Sequence, residues 1–319
     1  MGRWHADAAQ HAGSRVVVIV DADAARASAL GRKLPGRAAI ASGIGQAIRE
    51  HGVNVVHICT PVDSHEPLAT EAMHAGAHVL MEKPLTASCA GTERLFTLAE
   101  EQGVLLCPVH QFLFQPGVLA AQRELPSLGE IRHVELVACS AGADGAADTV
   151  REAVALDILP HGLALAGRFL APELALSRWS VSHGLDGELR ALTQIGDASV
   201  MIAVSMSARP TENSLTVRCT RGTIRADLFH GFATVDRGST SRLGKITRPF
   251  AAATGVLQAA STNLIGRSLR REPAYPGLRE LVRRFHRASL GLGAVPITPR
   301  EAVDVARARD IIASTRSRR

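Results

Sequence analysis

Two short clusters in this sequence have the residue types and spacing that acid–base chemistry needs. The first is Glu82-Lys83-Pro84, which follows the apolar run His78–Met81. Only three of the 36 basic side chains are lysines, Lys33, Lys83 and Lys245. In a chain that otherwise uses arginine, each lysine asks for a reason, because lysine releases its proton at useful pH and arginine does not. A lysine at a strand terminus can hold a substrate oxygen, polarise it or relay a proton. The plainer reading is a surface lysine, and the scarcity of lysine counts against it. The second cluster is Asp157-Ile-Leu-Pro-His161. Spacing of i, i+4 puts both side chains on one side of a helix. Pro160 suits a first helical turn, so the cluster is expected to open a helix over about 160–170. Its apolar neighbours predict a half-buried pair. Buried imidazoles and carboxylates need partners, so an Asp-oriented histidine base is one reading. An N-cap aspartate beside a satisfied core histidine is the other, and the residues alone leave both open.

The elements that must position these groups are legible. Arg15–Val20 and Val53–Thr60 read as strands buried on both faces, and 78–82 and 104–109 as two more. Helices are expected at 24–33, 44–51, 64–75 and 89–102. Strands alternating with helices at this cadence mean βαβ units and a doubly wound parallel sheet, with ligands at the strand C-termini. Those termini are Asp21, Thr60, Glu82-Lys83 and His110. Asp21 stands where a dinucleotide fold places the acid that accepts ribose hydroxyls. Its charge repels a 2′-phosphate, which favours NAD over NADP; a strand-end turn residue is the plainer alternative. Thr60-Pro61 and His65 follow the next strand and can line the same crevice, or simply open a helix.

After about residue 112 the pattern becomes short strands with tight turns, at 131–140, 175–183, 190–196, 199–207, 214–220, 222–228 and 231–236. These predict a large, mainly antiparallel sheet, and helices follow at 251–269, 276–289 and 299–314. The expected division is therefore a dinucleotide-binding domain over 1–112 and an α+β substrate and oligomerisation domain over 113–319.

Composition narrows the function. With 46% apolar and 21% charged residues the chain is ordinary globular material. Aromatics at 3% argue against base-stacking platforms, and no recognition motif points to nucleic acid. Five cysteines without a C-x-x-C pair read as reduced thiols, which points to the cytoplasm. No stretch approaches 18 uninterrupted apolar residues, so no membrane span is expected. His74 and His78 have a ligand-like spacing but no completing carboxylate or cysteine, so no metal site is expected. Residues 1–150 carry a net charge of −5 and 151–319 a net charge of +11. The helix expected at 251–269 is flanked by arginines, which suits an oligomer contact or, less well, an anionic membrane surface.

Taken together, Thr60-Pro61, His65, Ala75–Val79, Glu82-Lys83-Pro84-Leu85, Asp157-x-x-x-His161 and Tyr275-Pro276-Gly277-Leu278 resemble the glucose–fructose oxidoreductase/inositol dehydrogenase (Gfo/Idh/MocA) family over essentially the whole chain. The resemblance implies that Lys83, Asp157 and His161 are catalytic. It also implies that Glu82 borders the nicotinamide ribose and that the Lys83–Pro84 bond is cis. A nicotinamide-dependent dehydrogenase or reductase for a sugar, cyclitol or sugar derivative is the implied activity, in a homodimer or homotetramer. A catalytically impaired sugar- or nucleotide-sensing protein of the same fold is the alternative.

One departure stands out. Such folds open on a strand and a G-x-G-x-x-G turn that meets the pyrophosphate. Here Gly2-Arg3-Trp4-His5-Ala6 resembles the last glycine and the helix after it. Asp21 follows Gly2 by 19 residues, near the roughly 20 expected. The first strand and most of the glycine turn are thus missing, and a β-branched run with G-x-G is expected in frame upstream of Met1.

Overall fold

The computed structural model describes residues 1–170, 174–184, 187–238 and 241–315. The chain divides into two compact units. One combines Met1–His110 with Leu278–Ala306, and the other combines Gln111–Gly277 with Arg307 onwards.

In the first unit, α1 (Gly2–His11) leads to β1 (Val18–Val20), α2 (Ala24–Gly31), β2 (Ala39–Ala41), α3 (Ile44–His51), β3 (Val55–Ile58), α4 (His65–His74), β4 (His78–Met81), α5 (Cys89–Glu101) and β5 (Leu106–Pro108). Every strand pairing here is parallel, as strand–helix alternation requires. The strands form two sheets, β1-β2 and β3-β4-β5. Central β4 is the most apolar, and Val79, Leu80 and Met81 are fully buried. Strand β2 escapes the sequence pattern because Ala39-Ile40-Ala41 has little β-propensity; parallel pairing with Val18–Val20 makes it a strand.

The second unit holds α6 (Pro116–Glu124), β6 (Ile131–Cys139), α7 (Asp148–Leu170), β7 (Ser180–His183), β8 (Leu189–Ile195), β9 (Ala198–Ser205), β10 (Glu212–Cys219), β11 (Gly222–Asp227), β12 (Phe232–Arg237) and α8 (Arg242–Leu269). Its seven strands form one sheet in the order β12-β11-β10-β6-β9-β8-β7. All pairings are antiparallel except β6 with β9. Burial alternates along β8 and β9, so one face carries the core. Helix α7 lies on it, burying Ala155, Leu159, Leu163 and Ala166. That packing accounts for α7 being the one described helix long and apolar enough to cross a membrane.

Three expectations need correction. Helix α7 begins at Asp148 rather than near Pro160, so Pro160 lies inside it and removes the bond its N–H would give the Leu156 carbonyl. Helix α8 begins at Arg242, where the Ser241 side chain caps the Gly244 N–H, and not at 251. Residues 278–306 belong with the first unit rather than the second domain. The reason is α9 (Leu278–Ser289), whose Leu278, Leu281, Val282 and Phe285 recur at helical spacing and pack on α1 and β4. The last helix, α10, spans Pro299–Ser314.

Candidate active site

Strands β3 and β4 run side by side with Ile58 opposite Met81, and the Glu82 N–H donates to the Ile58 carbonyl at 2.9 Å. The chain therefore leaves both strands at one level, through Thr60-Pro61 and through Glu82-Lys83-Pro84. The Lys83–Pro84 bond is cis. His65, the first residue of α4, sits beneath both exits and is only 1% exposed. Its Nδ1 lies 2.9 Å from the Pro84 carbonyl oxygen and its Nε2 2.8 Å from that of Thr60. Both ring nitrogens are committed within the protein, so His65 is a strut between the two exits rather than a lining group. Thr60 and Pro61 are exposed, and Thr60 Oγ1 accepts from the Ser64 hydroxyl at 2.7 Å. Glu82 and Lys83 are half-buried. Glu82 Oε1 accepts from His5 Nε2 at 3.0 Å. Burial, followed by the charge of Glu82, pushes the neighbouring Cys59 thiol up to about 12.

Asp21 ends β1 and is exposed. Its Oδ1 accepts from the Asp23 N–H at 2.9 Å, a local turn that aims Asp23 at the Ala25 and Arg26 N–H groups of α2. The turn role open to Asp21 from sequence is thus real. Gly2 opens α1, and a Cβ there would meet nothing within 4 Å, so none of the described residues demands glycine.

In the second unit, His161 is half-buried while Asp157 is exposed. This corrects the expectation of a half-buried pair. The early turns of α7, including Glu152, are exposed, and the helix comes under cover just before His161. Phe112 provides that cover, its ring centroid 4.6 Å from the imidazole. Together Phe112, Leu136, Ala138, Gly162 and Ile202 surround the ring in a narrow crevice. Gly162 lets α7 approach β9, since a Cβ there would lie 3.2 Å from Ile202 Cγ2. Gly277 of the Tyr275-Pro276-Gly277 motif has φ +92°, and its Cβ position falls 2.3 Å from the Gln111 carbonyl oxygen. Only glycine fits there.

Sequence reasoning missed Phe112, Gly162 and a histidine series whose two outer members, His5 and His286, are buried. His5, His57 and His286 lie 52 and 229 residues apart in successive contacts, and no local spacing announces them. Among the described residues no cluster could hold a metal ion.

Parallel βα units with polar groups at the strand exits, followed by one large mixed sheet, define a Rossmann-type dinucleotide-binding protein with an added α+β unit. Residues 1–110 match the Gfo/Idh/MocA family model, described as "Oxidoreductase family, NAD-binding Rossmann fold". It is 34% identical over 159 residues to a dTDP-3,4-didehydro-2,6-dideoxy-alpha-D-glucose 3-reductase of Streptomyces violaceoruber, covering 46% of each chain. It is 35% identical over 103 residues to an inositol 2-dehydrogenase of Corynebacterium glutamicum (strain R), covering 32% of this chain and 30% of that one. Each match thus spans less than half of the curated relative. A solved levoglucosan dehydrogenase, in complex with NADH and levoglucosan, aligns over 98% of this chain and 93% of its own. Its TM-score is 0.76 at 17% identity, a likeness of fold.

Proposed function

We propose that this chain is a nicotinamide-dependent oxidoreductase that moves a hydride between the cofactor and a hydroxyl or ketone of a sugar, cyclitol or sugar derivative. The observation that carries the reading is the Glu82-Lys83-Pro84 corner. It places a rare lysine at the exit of the central strand of a parallel sheet, beside a second polar exit at Thr60, with a buried histidine fixing both. The residues present suit a dinucleotide. Asp21 is an exposed acceptor for ribose hydroxyls and selects NAD over NADP, and Gly2 opens a helix whose N–H groups favour an anion. Thr60, Pro61 and Glu82 would border the cofactor, with His65 holding their loops. When bound, the nicotinamide supplies the hydride acceptor or donor.

The chain's own groups handle the proton and the charge. His161 takes the substrate hydroxyl proton, and Asp157, one helical turn earlier, favours the resulting imidazolium. The Lys83 ammonium neutralises the charge that develops on the substrate oxygen. Assembly as a homodimer or homotetramer is supported by α8, where Ile246, Phe250, Leu257, Leu264 and Leu269 are each more than 60% exposed.

The test is turnover of a panel of sugars and cyclitols with NAD and NADP. Lys83→Ala and His161→Ala should each lower turnover by about 10²–10⁴-fold with the circular dichroism spectrum unchanged. Wild-type turnover in both variants overturns the assignment. Tight NAD binding without turnover of any substrate favours the sensing alternative.

A further inference from the structure

The three histidines that the mechanism leaves unused form a continuous chain in the first unit. Ser14 Oγ lies 2.7 Å from His286 Nδ1, and His286 Nε2 lies 2.9 Å from His57 Nε2. His57 Nδ1 lies 3.0 Å from His5 Nδ1, and His5 Nε2 lies 3.0 Å from Glu82 Oε1. The chain crosses α1, β3 and α9 and ends on the Glu82 carboxylate at the exit of β4. Ser14 at its far end is half-exposed, whereas His5 is 2% and His286 8% exposed.

Chemistry fixes the direction of every bond. A carboxylate only accepts, so His5 Nε2 carries a proton and its Nδ1 accepts. His57 must then donate from Nδ1 and accept at Nε2. His286 donates from Nε2 and accepts at Nδ1, and the Ser14 hydroxyl donates to it. One proton per ring satisfies all four contacts, with each imidazole neutral. Burial agrees with this. Together with the nearby His5 and His286 it holds His57 well below the usual histidine range, and it pushes His286 down to about 4.

We propose that Ser14, His286, His57 and His5 are a proton wire between solvent and the Glu82 carboxylate. In one passage His5 Nε2 gives its proton to Glu82 and His57 Nδ1 gives its proton to His5 Nδ1. His286 Nε2 gives its proton to His57 Nε2, Ser14 gives its proton to His286 Nδ1, and water at the surface re-protonates Ser14. One proton enters at Ser14, one arrives at Glu82, no ring keeps a charge, and the reverse passage exports a proton. The wire rests on the oxidoreductase reading only for its use, which is proton exchange beside Lys83 during a reaction that releases or consumes one proton. The other ionisable groups on the elements around it are the Cys59 thiol, the Asp7–Arg279 pair at 2.8 Å that ties α1 to α9, Arg3 and His11 on α1, and Glu280, Arg283, Arg284 and Arg287 on α9.

The test is the tautomeric state of the rings, read by long-range ¹H–¹⁵N correlation on the full chain labelled with ¹⁵N-histidine at pH 7.5. His5 and His286 should be Nε2–H and His57 Nδ1–H; any other pattern overturns the wire. Glu82→Gln replaces an obligate acceptor with a group that also donates, so the signals of all three rings should move, including His286 at the far end. A change confined to His5 marks a set of separate structural contacts and overturns the proposal. Should that variant not fold, acid titration of the wild type decides: the first proton bound should move all three rings at one midpoint, and three separate midpoints refute the wire. None of these readings requires turnover, so failure of the wire is distinct from failure of the proposed activity.

Discussion

The two units hold their candidate catalytic groups by opposite means. The first fixes the Glu82-Lys83 corner with buried polar contacts: His65 braces the two exits from below, and His5 reaches Glu82 from the side. The second fixes His161 by close apolar packing, with Phe112 against the ring and a glycine where α7 meets β9. A polar frame is directional and costly to break, because any group left unpaired is desolvated without compensation. A packed frame tolerates small adjustments and fails by volume. The units should therefore break differently under substitution, acid and chemical probes.

The largest effect is expected at His65. His65→Leu keeps most of the volume but removes the ring N–H from between the Thr60 and Pro84 carbonyls, at about 1–3 kcal/mol for the lost donor. Differential scanning calorimetry should show a loss of roughly 1–3 kcal/mol. A loss below about 1 kcal/mol would mean that the exits are not braced in this way. Gly162→Ala should cost less, because two terms oppose. Alanine favours a helix interior by about 1 kcal/mol, while forcing Ile202 aside costs about 1–3 kcal/mol. Net destabilisation near 1 kcal/mol is expected, with kcat lowered by displacement of His161. A stabilised variant with normal kcat would show that packing does not set the His161 position.

Much of this contrast was legible in the sequence, but unevenly. Continuous apolar runs announced β3 and β4, and the Glu82-Lys83-Pro84 exit fell where the fold places ligands. Pairs close in sequence, such as Asp157 and His161, were visible as pairs. The α7 boundary was not, because Pro160 reads as a helix start and the nine helical residues before Asp157 needed the sheet beneath them. Residues joined only by folding left no pattern at all. His5 meets His57, and His57 meets His286, through pairings of β3 with the two helices that local spacing does not encode. For the same reason α9 looked like part of the second domain until its apolar stripe was seen on α1 and β4.

Acid should separate the units. An unfolded histidine titrates near 6.5, whereas His286 is pushed down to about 4 and His57 is also held low. The unfolded chain therefore binds more protons than the folded one in this window. The stability these rings contribute is complete above pH 6.5 and is lost as pH falls towards about 4. In the second unit Glu188 is shifted too. Burial works against its charge, but hydrogen bonds from Ser205, Ser207 and Arg190 outweigh burial and hold it below the usual carboxylate range. Its window lies lower, below the ordinary carboxylate value of 4.5. Hydrogen exchange at pH 7, 6 and 5 should show α1, β3 and α9 losing protection first, with β8 and β9 unchanged. Simultaneous loss in both units would erase the distinction.

The smallest effect concerns Cys59, which reports on how dry the polar frame is. Burial and the Glu82 charge push its thiol up to about 12, so only about one molecule in 10⁴ carries a thiolate at pH 8. Iodoacetamide at that pH should alkylate Cys59 far more slowly than an ordinary exposed thiol, and Glu82→Gln should speed the reaction modestly by removing the repelling charge. Burial is the larger cause, so the variant's thiol should still react slowly. Rapid labelling in the wild type would mean that water reaches the corner beside Glu82. The low-dielectric setting that makes its hydrogen bonds strong would then be absent, and the first unit would hold its site no more rigidly than the second.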